Sequence, residues 1–244
     1  MKFRFGIPLL FVMVFSPILN AQDTIVPDRP GIGNGSFTVA PGDAYLESGI
    51  VFRNTDFADQ FDVGQLGFRT GLTHHLELQI LLNSISFLDT PANDSGVEDL
   101  GIGLKRDIVE SSSFQLALLG ILSIPTGSEI VTNNEWIPQF SLIGDYSISE
   151  MWTLSSNLGY SFGVADIDEQ WLFTLTPSIT PFSQANFNIY GGYAGLYDPD
   201  SNQHFAEFGL ILFPLPYIQL DINSGFQFNS NNYFVGIGFS AQLF

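Results

Sequence analysis

The chain contains few residues whose type and spacing suit catalysis or metal binding. Its histidines are His74, His75 and His204, and it has no Cys. His74 and His75 are neighbours in a predicted turn between strands, where successive side chains point to opposite faces, so they are not expected to converge on one metal ion. His204 follows Ser201 and Asn202, which are residue types of a hydrolase, but polar loops produce such groups readily. The sequence therefore predicts no enzyme activity, no metal site and no cofactor.

Charged residues recur instead at positions that would share one face of a sheet. Alternation along four successive predicted strands places Glu47, Arg69, Glu77 and Lys105 on the same face, and their signs alternate from strand to strand. Opposite charges on adjacent strands interact at Cβ separations of roughly 5 to 8 Å. We expect these four residues to form a charge ladder near one end of an inner wall. The alternative is that they are the scattered hydrated ions that any polar wall carries. The other acids predicted on this inner surface, where a plug or a solute could engage them, are Asp145, Glu207 and Asp221.

The elements that carry these residues are short segments in which apolar and polar side chains alternate. In the third segment, for example, leucine and isoleucine alternate with Glu77, Gln79 and Asn83. The two-residue period and the closing turns predict antiparallel strands of about ten residues. The segment 114–124 is apolar on both faces and cannot be oriented from its pattern. The twelve predicted strands are 44–53, 62–72, 76–86, 97–108, 114–124, 137–148, 152–162, 171–179, 186–197, 204–213, 217–228 and 233–243.

The connections between these strands alternate in character. One set is tight, and the other is longer, holding eleven Asp or Glu and no Lys or Arg. Aromatic residues cluster near the strand ends, with Tyr45 and Phe182 predicted in an inner girdle and Phe205 in an outer one. The pattern predicts an all-β fold, a transmembrane antiparallel up-and-down β-barrel of about 12 strands, with short periplasmic turns and longer extracellular loops. A soluble secreted sandwich is a weaker alternative, because the polar faces hold few ions.

Composition excludes several classes of protein. The 244 residues include 25 Asp or Glu and 7 Lys or Arg, a net charge of −18 that repels nucleic acid. Residues 1–21 read as a secretory signal peptide, with Lys2 and Arg4 ahead of an apolar stretch and Ala21 at the cleavage point. Removing it takes away two positive charges, which leaves 5 minus 25, or −20.

Residues 22–42 are predicted to be an N-terminal periplasmic segment or a plug, ahead of a barrel domain at 43–244. The Pro and Gly content of the segment argues against a strand. As a plug it would fold into the periplasmic mouth, with Asp28 and Arg29 as the candidate contacts and Arg29 meeting a lumen carboxylate. The alternative is a loose periplasmic tail.

Five motifs in order resemble the outer-membrane family known as "Putative MetA-pathway of phenol degradation". The resemblance spans essentially the whole mature chain and implies an outer-membrane barrel that passes small, often aromatic or apolar, molecules. The motifs are 28–30 (DRP), 36–49 (SFTVAPG followed by YLESG), 99–105 (DLGIGLK), 124–127 (IPTG), and 219–221 (QLD) with 233–240 (YFVGIGFS).

We therefore expect a channel or transporter in the outer membrane of a Gram-negative bacterium. The expected partners are outer-membrane lipid, a small-molecule solute, and the barrel-assembly machinery through the C-terminal strand, with no nucleic acid. The alternative function is a non-transporting structural or surface-interaction barrel.

Overall fold

The computed structural model describes residues 24–92, 94–132, 134–181, 186–228 and 230–244, and the described chain is all-β. The predicted signal peptide and Phe182 lie outside these residues. None of the described residues forms a helix long and apolar enough to cross a membrane. The strands are β1 (Ala44–Asn54), β2 (Asp59–Thr73), β3 (Leu76–Leu88), β4 (Ser95–Val97), β5 (Leu100–Glu110), β6 (Phe114–Ile124), β7 (Ile137–Ser147), β8 (Trp152–Ser161), β9 (Gln170–Ile179), β10 (Phe187–Tyr197), β11 (Asn202–Leu215), β12 (Ile218–Gln227) and β13 (Tyr233–Gln242).

Apart from the short β4, each strand pairs antiparallel with the long strands before and after it in sequence, and β1 pairs with β13. The short β4 continues the line of β5, since both pair with β3. The sheet is therefore a closed twelve-stranded barrel, as predicted, and closure removes the unpaired edges that an open sheet would expose. The short turns lie at one end, here called the inner end, and the longer loops lie at the outer end.

The two faces of the wall differ in chemistry. Outward-facing side chains are large and apolar, and inward-facing polar residues are buried, including Gln79, Asn157 and Gln219. The strand that sequence left without an orientation, β6, turns Ala117 and Leu119 into the lumen.

Backbone irregularities change which residues face inward. Between β2 and its neighbours the register shifts around Gly64, Gln65 and Leu66, and Gly64 adopts φ 116°. Such a bulge inserts one residue and reverses the alternation beyond it. Asp62 and Arg69, an odd number of residues apart, consequently both lie buried inside the barrel.

The outer end is braced by Asp99, which stands between β4 and β5. Its Oδ1 accepts hydrogen bonds from the backbone N–H groups of Thr126 (3.1 Å) and Gly127 (2.9 Å). This carboxylate therefore joins two of the sequence motifs, DLG and PTG. It holds the loop after β6 against the point in the wall where β4 has ended and β5 begins.

Two aromatic assignments from sequence were wrong. Tyr45 is not in an inner girdle, because its ring is buried against Ile25 and Val39 inside the barrel. Phe205 is not in the outer girdle, because it lines the lumen. Both residues occupy inward-facing positions of their strands. The assignment from sequence considered only how near each aromatic residue lies to a strand end, and not which face of the strand it occupies.

Barrel closure predicts resistance to detergent, because the twelve long strands are each paired with a neighbour on both sides. An unboiled sample of the mature protein should therefore migrate on a denaturing gel at a different position from a boiled one. Equal migration, with complete extraction of the protein from membranes by carbonate, would contradict a closed barrel.

Candidate functional site

Residues 24–43, here called the lumen segment, run through the inside of the barrel, with exposed residues at both ends of the segment. At the inner end the N–H of Ile25 donates to the carbonyl of Pro216 (2.9 Å). The segment passes so close to β2 that a Cβ on Gly71 would lie 2.3 Å from the carbonyl oxygens of Val39 and Ala40. A residue without a side chain is therefore required where the segment meets the wall.

Arg69 of β2 is the central cation of the lumen, with only 2% of its surface exposed. Its Nη1 donates to Glu47 (2.9 Å), and its Nε and Nη2 donate to the two oxygens of Glu77 (2.7 and 2.9 Å). It also donates to the carbonyl groups of Val26 (3.2 Å) and Phe37 (3.1 Å) in the lumen segment. One guanidinium thus joins three neighbouring strands to both halves of the segment.

Lys105 of β5 is fully buried and binds the lumen segment. Its Nζ lies 2.6 and 2.8 Å from the two carboxylate oxygens of Asp28, and it also donates to the carbonyls of Gly35 and Phe37. Asp28 is also 3.5 Å from Arg69 Nε, so this segment carboxylate neutralises wall cations on two strands.

Arg29, the residue after Asp28, is the cation of the segment, and it contacts the lumen wall at β12 and β2. Its Nη2 lies 3.3 Å from Asp221, and its Nη1 donates to Gln65 (2.6 Å). The guanidinium lies over Gly49 and Gly238, which occupy paired positions on β1 and β13. A Cβ at either glycine would approach the guanidinium to within 2.5 Å, so the two glycines form the notch that receives it.

The remaining wall acids accept backbone N–H groups of the segment. Glu207 accepts from Ile32 (3.2 Å), and Asp145 accepts from the N–H and hydroxyl of Ser36 (2.7 and 2.6 Å). Glu77 also accepts from Val39 (2.7 Å). Because the segment forms no strand, these side chains supply the acceptors that a sheet would otherwise provide.

The structure brings all seven lumen residues named from sequence to the lumen segment. Within the ladder, Arg69 pairs with Glu47 and Glu77 on the flanking strands. The fourth member departs from a simple ladder, because Lys105 occupies the position paired with Glu77 but directs its ammonium to Asp28. A buried group that sequence missed is Asp62, which binds Arg53 (2.8 Å) near the outer end.

The lumen segment lies between two cavities, since Asp28, Arg29 and Asn34 line both. The outer cavity, of about 440 Å³, has apolar wall residues that include Leu81, Phe205 and Phe234. The inner cavity, of about 460 Å³, is lined mainly by hydroxyl and amide groups. Its wall hydroxyl groups include those of Ser113, Ser147, Thr153, Ser155, Thr174, Thr176 and Ser178.

The histidines do not assemble a hydrolytic triad. The Nδ1 of His204 lies 2.6 Å from the hydroxyl of Tyr193, whereas the hydroxyl of Ser201 donates to Asp198 (2.9 Å). The exposed His75 bonds to Asp107 (2.9 Å), and this carboxylate raises the pKa of His75.

The family comparison covers nearly all of the described chain. Residues 27–243 match the family described as "Putative MetA-pathway of phenol degradation". The chain belongs to this family. A comparison with curated proteins found no significant match.

Solved structures show the same fold at low sequence identity. The COG4313 outer membrane channel from Pseudomonas putida F1 is 12% identical, with a TM-score of 0.66 over 88% of this chain and 99% of that chain. The NanC porin is 10% identical, with a TM-score of 0.61 over 81% of this chain and 100% of that one. The KdgM porin is 10% identical, with a TM-score of 0.58 over 81% and 98%. The chain therefore has the fold of an outer-membrane barrel.

The Arg29 notch gives a direct prediction for Gly238→Ala. The added methyl group should displace the guanidinium, because it would lie 2.4 Å from Arg29 Nε and 2.5 Å from Asp221 Oδ1. Losing a charge-assisted hydrogen bond costs about 1.5–3 kcal/mol. This corresponds to a roughly tenfold or larger increase in the equilibrium constant for opening, the release of the lumen segment from the wall.

The opening can be measured by maleimide labelling of Ile25→Cys, since Ile25 is buried and the chain has no other Cys. Labelling should be about tenfold faster when Gly238→Ala is added. The matched control is Gly67→Ala, where a Cβ would meet only ordinary contacts of 3.5 Å or longer. Equal labelling rates in the two double variants would contradict the notch.

Proposed function

We propose that this protein is a channel of the Gram-negative outer membrane for small solutes, with the lumen segment as its plug. The observation that carries the proposal is the lumen segment between two cavities, of about 440 and 460 Å³, inside a closed barrel. Water-filled or plugged lumens are typical of membrane barrels with polar interiors. Family membership and the fold shared with solved channels and porins support the same function.

The contacts of the segment favour a plug over a loose tail. Asp28 and Arg29 of the segment are each paired with wall residues of opposite sign. Breaking a buried pair leaves a poorly compensated charge, which is strongly unfavourable. The closed arrangement is therefore the resting one, and passage requires the segment to move.

The outer cavity favours small solutes with apolar or aromatic surface. Leu81, Ile121, Leu196, Phe205 and Phe234 offer such a solute apolar contacts, while the adjoining Arg53 and Asn223 could orient one polar group. Pockets for small molecules commonly combine an apolar lining with a few polar groups. In this proposal the solute passes through the barrel unchanged, with no catalytic step. Outer-membrane lipid and the barrel-assembly machinery, the latter through β13, are the proposed partners.

The alternative, a barrel without transport, is separated by conductance in planar bilayers. Arg29→Ala should raise the conductance or the open probability, because it removes the pair with Asp221 and the bond to Gln65. The matched control is Arg53→Ala, which removes the same charge from the lumen but leaves the segment contacts intact. No conductance in the wild type and in Arg29→Ala would favour the non-transporting barrel.

Ion preference provides a second prediction. The five outer loops that carry acid contain no Lys or Arg, so they should concentrate cations at the mouth. Reversal potentials across a salt gradient should show cation preference that fades above 0.1 M salt, where the Debye length is about 10 Å or less. Anion preference at low salt would contradict a role for the rim. The loop acids are Asp56, Asp59, Asp89, Asp94, Glu129, Glu135, Asp166, Asp168, Glu169, Asp198 and Asp200.

A further inference from the structure

At the inner mouth, one imidazole and two carboxylates converge without contributing to the hydrogen bonds that hold the lumen segment. His75 lies in the turn between β2 and β3, and Asp107 and Glu110 lie at the end of β5. One donor atom from each residue lies within 4.8 Å of the others. Imidazole and carboxylate donors together suit a transition-metal ion such as Zn²⁺.

The backbone explains why these three side chains meet. The pairing of β3 with β5 places Leu76 opposite Arg106, so the residue before Leu76, His75, reaches the level of Asp107. Glu110 is three residues beyond Asp107 and would face the other way in a regular strand. The register shift between Asp107 and Val109 inserts one residue, which turns Glu110 to the side that carries Asp107.

A second observation points to a ligand at this place. The Oδ2 of Asp107 bonds to His75, but its Oδ1 is buried and has no hydrogen-bond partner among the described residues. A buried carboxylate oxygen without a partner is unfavourable, and a cation would satisfy it. We propose that His75, Asp107 and Glu110 bind one divalent transition-metal ion, with solvent in the remaining coordination positions.

The side chains can adjust to such an ion, whose bonds are about 2.0–2.2 Å long. His75 is 65% exposed at its side chain and Glu110 is exposed, so small rotations bring their donor atoms inward. The cavity beside the three residues is also lined by Ser36, Phe37 and Pro41 of the lumen segment. A bound ion would therefore join the β2–β3 turn to β5 where the segment leaves the lumen.

The test is titration of Zn²⁺ into tag-free, refolded barrel in detergent, followed by calorimetry and by the temperature at which the compact gel band is lost. The expected result is one Zn²⁺ per chain and a higher conversion temperature. His75→Ala and Glu110→Gln should each weaken binding at least tenfold, since even the loss of an outer partner of a metal ligand costs 10–100-fold. His74→Ala, which removes the adjacent imidazole, is the matched control and should bind like the wild type.

Three results would overturn the proposal. The first is no Zn²⁺ binding to the folded wild type, and the second is an equal loss in His74→Ala and His75→Ala. The third is Mg²⁺ binding as tightly as Zn²⁺, which would indicate an acidic surface that does not use the imidazole. Glu110→Gln separates metal binding from a structural role, because it leaves the hydrogen bond between His75 and Asp107 in place.

Discussion

A guanidinium removed from water is stable only where anions and carbonyl groups surround it, and Arg69 imposes that condition on the lumen. Two carboxylates from the flanking strands are not its only partners, since Val26 and Phe37 of the lumen segment also contribute carbonyls. The neighbouring Lys105 depends on the segment more directly, through Asp28. The wall cations and the segment consequently require each other, and the segment is part of the folded interior.

The carboxylates of the inner wall have a second role besides neutralising its cations. Six backbone N–H groups of the segment, from residues 28, 29, 32, 34, 36 and 39, donate to wall side chains. An irregular chain inside a barrel has no neighbouring strand to supply acceptors, and buried N–H groups without partners are rare. Four of the acceptors are the carboxylates Glu47, Glu77, Asp145 and Glu207, with the amide oxygen of Asn157 as the fifth.

Sequence predicts the strands well because a two-residue period runs through most of them, and β6, which lacks the period, is bounded by turns. It also identifies Glu47, Arg69 and Glu77 as inward-facing, since these residues lie on the regular inner halves of β1, β2 and β3. It misses Asp62 because a bulge at Gly64–Leu66 reverses the alternation between Asp62 and Arg69. Glu110 was missed because the predicted strand 97–108 ends before it, whereas β5 continues to Glu110 through a register shift. The partner of Lys105 was also beyond pattern reasoning, because it depends on the path of a segment that has no period.

Three of the five sequence motifs that carry the family resemblance meet at one place in the fold. Arg29 of the first motif lies over Gly49 of the second and Gly238 of the last, which are paired across β1 and β13. Asp221 stands opposite Gly238 on β12 and completes the row. A side chain at either glycine would displace the guanidinium, and a neutral residue at 221 would leave it without its anion. Motifs far apart in the chain are therefore constrained together, because the two glycines and the carboxylate form a single receptor for one arginine.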